Sequence, residues 1–179
     1  SIDVLSVTYD INEMIITWSQ SSNYDFGKYE LLKSDSETGE KNVVTTVSNK
    51  TDTSYVLTEF DLSNEIWFWI KVIDLWDLST TGSGYQVVNE VPQSVDVTSI
   101  SYDVNQMTVS WLESPDKDFS SYEVLYSTTE TGDKSSLTTI SDKSTTSYSL
   151  TEFDPLHENW FWIKVTDHWG QTTIGSGMT

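Results

Sequence analysis

The sequence predicts an all-β protein of two tandem antiparallel β-sandwiches, about seven strands each, and three observations carry that expectation. The first is repetition. Trp18 recurs as Trp111, and at that offset of 93 the chain aligns with itself without a gap. Leu57-Thr58-Glu59-Phe60-Asp61 falls on Leu150-Thr151-Glu152-Phe153-Asp154, Trp67-Phe68-Trp69-Ile70-Lys71-Val72 on Trp160-Phe161-Trp162-Ile163-Lys164-Val165, and Gly82-Ser83-Gly84 on Gly175-Ser176-Gly177. Roughly half of the aligned positions are identical. Solenoid repeats run ~20–50 residues, so a repeat this long is a whole small domain. The second observation is apolar/polar alternation with period two, with no sustained helical period. The third is the regular return of turn residues between short apolar runs.

The elements follow in order. A strand around Val4–Tyr9 ends at the polar turn Asp10-Ile11-Asn12, and a second strand puts Met14, Ile16 and Trp18 inward. Tyr29–Leu32, Val43–Val47, Tyr55–Leu57 and Trp67–Ile73 follow, then a glycine-containing strand near Thr80–Val88. In the second copy Met107-Thr108-Val109-Ser110-Trp111 alternates most clearly. The expected domains are residues 1–89 and 94–179, joined by 90–93, a short segment with Pro92 and no Gly-Ser tract that reads as a semi-rigid joint. Thr179 is the counterpart of Gln86, so the last strand of the second copy reads as incomplete in this segment, to be completed in cis or in trans.

These residues resemble the fibronectin type III family. The resemblance rests on Trp18 and Trp111 ending the second strand, on Tyr29-Glu30-Leu31 and Tyr122-Glu123-Val124 on the third, and on Leu150-Thr151 and Phe153 ahead of the sixth, followed by Pro155. It covers essentially the whole chain and implies immunoglobulin-like sandwiches. It also implies a secreted or surface-exposed, non-catalytic module of bacterial extracellular type. Phe68 and Phe161 stand where the family usually carries a tyrosine whose hydroxyl ties down the preceding corner, and Leu62 replaces the proline in the first copy.

Composition narrows the function. The 179 residues carry a net charge of −19, with 9 Lys, no Arg and no Cys. Such a chain lacks the cations that displace counterions from phosphates, which argues against nucleic acid, and its charge disfavours anionic membranes. No apolar run approaches the ~20 residues that span a bilayer. Without Cys there are no disulfides, thiolate metal sites or cysteine nucleophiles. At 36% hydrophobic but 13% aromatic, the cores are expected to be built from Trp, Tyr and Phe.

Candidate binding residues come from strand parity. With Lys71 facing water, Phe68, Ile70 and Val72 point inward and Trp67 and Trp69 outward; Trp160 and Trp162 repeat this beside Lys164. These four are either covered by neighbouring strands and lysine stems or form an adhesive face for another subunit or ligand. Trp76 and Trp169, in the loop after the sixth strand, either pack on the sandwich end or stack on a sugar ring. The loop carboxylates Asp25, Asp74, Asp118 and Asp167 are weak calcium candidates, because no dense ligand string accompanies them; turn capping and solubility explain most of these side chains. Asn49-Lys50-Thr51 matches an N-glycosylation pattern that Asp142 breaks in the second copy. His157 and His168 lack counterparts, since Asn64 and Leu75 hold those places, so a repeated hydrolytic site is excluded. The expected partners are other copies or neighbouring repeats, with carbohydrate as a further candidate. The expected role is a spacer or assembly unit. A filament subunit, a carbohydrate-binding module and an accessory module of a larger secreted enzyme are the alternatives.

Overall fold

The computed structural model describes residues 1–179 and divides into two compact units, Ser1–Asn89 and Glu90–Thr179. In the first unit the strands are β1 (Val4–Tyr9), β2 (Met14–Trp18), β3 (Phe26–Ser34), β4 (Asn42–Val47), β5 (Ser54–Leu57), β6 (Ile66–Asp74), β7 (Ser79–Thr81) and β8 (Tyr85–Val87). One sheet has the order β1-β2-β5, and the other β4-β3-β6-β7 with β8 also paired to β6. In the second unit they are β9 (Val97–Tyr102), β10 (Met107–Trp111), β11 (Phe119–Ser127), β12 (Ser135–Ile140), β13 (Ser147–Leu150), β14 (Trp160–Asp167) and β15 (Thr172–Ile174). Their sheets run β13-β10-β9 and β12-β11-β14-β15. All pairings are antiparallel, and there is no helix to cross a membrane.

The alternation written into β2 and β10 becomes burial. Met14, Ile16 and Trp18 are buried, as are Met107, Val109 and Trp111. They pack against Tyr29, Leu31, Phe68, Ile70 and Val72 in the first unit and Tyr122, Val124, Phe161, Ile163 and Val165 in the second, all buried. Trp18 meets Tyr29 edge-on at 5.8 Å, and Trp111 meets Tyr122 at 5.6 Å. The indole N–H groups of both tryptophans lack a hydrogen-bond partner. Leaving one such donor unpaired costs about 1–3 kcal/mol. Burying about 200 Å² of ring at ~25 cal/mol per Å² returns roughly 5 kcal/mol, so burial wins.

Gly82-Ser83-Gly84 breaks the last strand between β7 and β8, and each residue has a reason. A Cβ on Gly82 would lie 2.0 Å from the carbonyl oxygen of Ile2, so only glycine lets the N-terminal segment cross there. The Ser83 N–H donates to Asp3 Oδ1 at 2.6 Å. A Cβ on Gly84 would meet the Trp69 ring at 2.8 Å. The second unit repeats all three contacts with Gly175 against Val95, Ser176 donating to Asp96 at 2.6 Å, and Gly177 against Trp162.

Phe68 and Phe161 are core residues with no part in holding the corner before the sixth strand. In the second unit the amide of Asn159 does that work, donating to the carbonyls of Asp154 and His157 at 2.9 Å and accepting from the Tyr126 hydroxyl at 3.1 Å. In the first unit Ile66 is buried there, and the Asp61 carboxylate holds the corner by accepting from Ser63 and Asn64.

Beside shifts at Gly27 on β3 and Ser120 on β11, four irregularities fall on edge strands. The register skips Val44 on β4 and Leu137 on β12, because Leu31 faces Thr45 while Leu32 faces Val43, and Val124 faces Thr138 while Leu125 faces Ser136. It skips Leu5 on β1 and Thr98 on β9 in the same way. These are β-bulges, and they sit on the edges of both sheets.

Candidate functional site

The tandem tryptophans of β6 and β14 lie on the outer face of the sheet that holds each strand, but that face is not bare. Trp69 is only 4% exposed and Trp162 only 6%: of the two arrangements that parity left open, these two indoles take the covered one. Parity sets their direction, and two covers close over them. The backbone at Gly84 and Gly177 presses on one side of each indole, and Lys41 and Lys134 place their ammonium groups 4.4 Å from the ring centroids. A cation over an indole is attracted by the ring quadrupole. Trp67 and Trp160, half-buried, stack against these rings at 6.1 and 6.0 Å, with planes 20° apart. The result on each unit is a short ladder of lysine, indole and indole.

Beside the ladder, Lys71 Nζ lies 3.1 Å from Glu30, and Lys164 Nζ lies 2.7 Å from Glu123. Lys28 joins Glu30 at 3.4 Å. The hydrogen bond from Lys164, then that from Ser136, holds the Glu123 carboxyl below its usual value of 4.5, against a smaller opposing effect of burial. For Glu30 burial pushes upward, but the two lysines outweigh it and the value falls.

The loop carboxylates are engaged in turns. Asp74 Oδ1 accepts from the N–H groups of Trp76 at 2.8 Å and Leu78 at 2.9 Å, and Asp167 Oδ1 accepts from Trp169 at 2.9 Å and Gln171 at 2.8 Å. Asp25 and Asp118 contribute their carbonyls, to Leu75 N–H at 2.9 Å and to His168 N–H at 2.7 Å. Burial raises the Asp118 carboxyl above its usual value, and the charges of Asp167 and Asp116 add to that. No three such groups gather in an arrangement suited to a metal ion.

The two loop tryptophans part company. Trp76 is 65% exposed, whereas Trp169 is half-buried with its ring edge-on to His168 at 5.2 Å. Three neighbours of Trp76 that parity and motif reasoning passed over are also exposed: Tyr24 on the β2–β3 loop, and Leu75 and Leu78 on the β6–β7 turn. The signal was available in the repeat itself, because the second copy carries Lys117, His168 and Gln171 at those three places.

No family model matches the chain, and no curated protein matches it. Among solved structures it is similar to a two-fibronectin type III domain segment from chicken tenascin, at 21% identity over 99% of both chains with a TM-score of 0.48. It is also similar to the FN1–FN3 domains of chicken CNTN1, at 17% identity over 97% of this chain and 67% of that one, with a TM-score of 0.41. In each unit a three-stranded sheet faces the sheet built on β3 and β6, or on β11 and β14, across an aromatic core; the fold is an all-β antiparallel sandwich, twice in tandem.

Proposed function

We propose that the chain is a non-catalytic structural module, a tandem spacer or display unit of a secreted or cell-surface protein. What the two copies share carries this reading. The recurring residues build the frame: Trp18 and Trp111, Tyr29 and Tyr122, the glycine-serine-glycine crossing with Asp3 or Asp96, and the Glu30–Lys71 and Glu123–Lys164 pairs. The histidines, the side chains best suited to proton transfer near neutral pH, occur in one copy only. Selection that keeps a scaffold twice and a reactive group once favours a mechanical role.

The edges bear on the filament alternative. Bulges on β1, β4, β9 and β12, the four-residue β5 and β13, and the broken last strand are the devices by which sheets avoid pairing with one another. They favour a spacer over a subunit that assembles by strand addition. Sedimentation velocity and force extension test the reading together. The expected result is a monomer at all concentrations that unfolds in two events, each releasing roughly 30 nm of chain. Concentration-dependent polymers, or a single concerted event, would defeat it, and antibody labelling of intact source cells decides the surface location.

A further inference from the structure

We propose that Asn49, on the turn between β4 and β5 of the first unit, is the acceptor of an N-linked glycan; the proposal rests on the surface-module reading above and adds a modification to it. Asn49-Lys50-Thr51 supplies the amide, the non-proline centre and the hydroxyl that this chemistry takes. Of the asparagines in the chain, only this one has Ser or Thr two places on.

The turn presents the acceptor. Asn49 and Thr51 are exposed and lie outside the strands. The Asn49 carbonyl accepts from the Asp52 N–H at 3.1 Å, which closes the turn. Asn49 Oδ1 accepts from the Thr51 N–H at 3.2 Å and from the Thr51 hydroxyl at 3.0 Å, so the hydroxyl sits on the amide to be modified. Asn49 Nδ2 donates to Asp52 Oδ1 at 2.9 Å, and a side-chain amide has a second N–H to give up. Lys50 fixes the centre twice over. Its carbonyl accepts from the Tyr29 hydroxyl at 3.1 Å, and its ammonium donates to the Asn23 carbonyl. The segment is pinned to the sandwich by its middle residue, while the side chains on either side stay in solvent.

The fold does not ask for the amide. The second unit builds the same turn on Asp142, whose carbonyl accepts from the Thr145 N–H at 3.1 Å. Asp142 Oδ1 accepts from the Ser144 N–H at 3.0 Å and from the Ser144 hydroxyl at 2.7 Å. Lys143 repeats both anchors, to the Tyr122 hydroxyl and to the Asp116 carbonyl. A carboxylate therefore serves the turn as an amide does, and turn-making does not account for the choice of Asn49. What the amide adds is a nitrogen that can be glycosylated. Nδ2 attacks the anomeric carbon of a sugar borne on a polyprenyl diphosphate. The bond from that carbon to the diphosphate oxygen breaks, the diphosphate leaves with the electron pair, and the Nδ2 proton passes to a base of the transferase. A hydrated chain then stands on the first unit and not on the second.

The test is mass spectrometry of the whole protein recovered from its own cells, with surface labelling of the same cells scored separately. A single glycan is expected, on the peptide that contains Asn49, and release by peptide-N-glycosidase should leave a carboxyl group there. Asn49→Gln and Thr51→Ala should each abolish it, whereas Thr51→Ser, which keeps the hydroxyl, should retain it. Both positions are exposed, so these variants stay folded. Asp142→Asn completes the same pattern with Ser144 and should add a second glycan, on the second unit. Bare Asn49 would overturn the proposal whether or not the protein is at the surface, and the labelling then decides whether the surface reading falls with it. A glycan on protein that never reaches the surface would keep the proposal and sink that reading. Modification that survives Asn49→Gln would sit elsewhere and overturn the proposal, and Asp142→Asn without a second glycan would overturn the part given to the turn.

Discussion

Removing one oxygen atom tests how these sandwiches hold their loops. The Tyr122 hydroxyl accepts from the Ser114 N–H at 2.7 Å and donates to the Lys143 carbonyl at 3.1 Å. It thus joins the β10–β11 loop to the β12–β13 turn from inside the unit. Tyr29 does the same with Ser21 at 2.7 Å and Lys50 at 3.1 Å. Tyr122→Phe keeps the ring and its contacts with Trp111 and Phe119, so the change isolates the hydroxyl. Ser114 is buried, and its orphaned N–H should cost about 1–3 kcal/mol; the lost bond to Lys143 adds about 1, and the more apolar ring returns a fraction. The net is about 2–3 kcal/mol. For a unit of this size, ~4–8 °C per kcal/mol gives a fall in Tm of about 10–20 °C. Calorimetry of the whole chain, with hydrogen exchange to assign each transition, should show only the second unit shifting; Tyr29→Phe should move only the first. Burial also raises the Tyr122 pKa above 10.0, with the Ser114 bond opposing. Its neutral form is the one favoured by folding, so that stability is present below pH 10.0 and lost as pH rises through the folded value; Tyr122→Phe should flatten this alkaline limb. A change under about 0.5 kcal/mol would mean that water already serves both loops, and the reasoning would be wrong.

Three more outcomes follow from particular contacts. Gly175→Ala places a Cβ 2.0 Å from the Val95 carbonyl oxygen and should cost about 1–3 kcal/mol in urea unfolding, with faster exchange of the Ser176 amide; unchanged exchange would mean that the N-terminal segment yields freely. Because Glu123 has a lowered folded pKa, its contribution is present above 4.5 and lost as pH falls through the folded value; Glu123→Gln should flatten the acid limb of the second unit's stability, and an unaltered limb would assign it to other carboxylates. In the first unit Gln86 Nε2 holds Glu65 at 2.8 Å and the Trp67 indole N–H has no partner, whereas Trp160 donates to Glu158 at 2.8 Å in the second. Gln86→Thr, which installs the residue found at Thr179, should free Glu65 for Trp67 and slow exchange of that indole proton; no slowing would show that Glu65 cannot reach it.

Much of this architecture is legible in the chain because its rules are local. Period-two alternation in Met107–Trp111 places three side chains inward whatever the partner strand, so the core follows from the pattern. Trp69 and Trp162 mark the limit. Parity gives the direction of a side chain but not what crosses above it, and the covers come from Lys41 and Gly84, 28 and 15 positions away in sequence. The bulges escape for a related reason: an extra residue in β4 is defined only by the register of β3 against it. Trp76 and its neighbours escape because a loop has no period, and comparison of the two copies is the sole guide there.

Edges and charge act on the same problem from opposite sides. A strand edge attracts any other edge through unpaired backbone groups, over contact distances; a net charge of −19 repels other copies over about a Debye length, ~8 Å at physiological salt. Beyond that range screening removes the charge, and within it the bulges at Leu5, Val44, Thr98 and Leu137 deny a neighbour a regular ladder. Each device alone leaves a gap. High salt would suppress the repulsion of an unbulged sheet, and a low charge would let bulged sheets collide through their apolar loops. Held together, they let two β-sandwiches sit in series at high local concentration without pairing, which is the condition a tandem display module must meet.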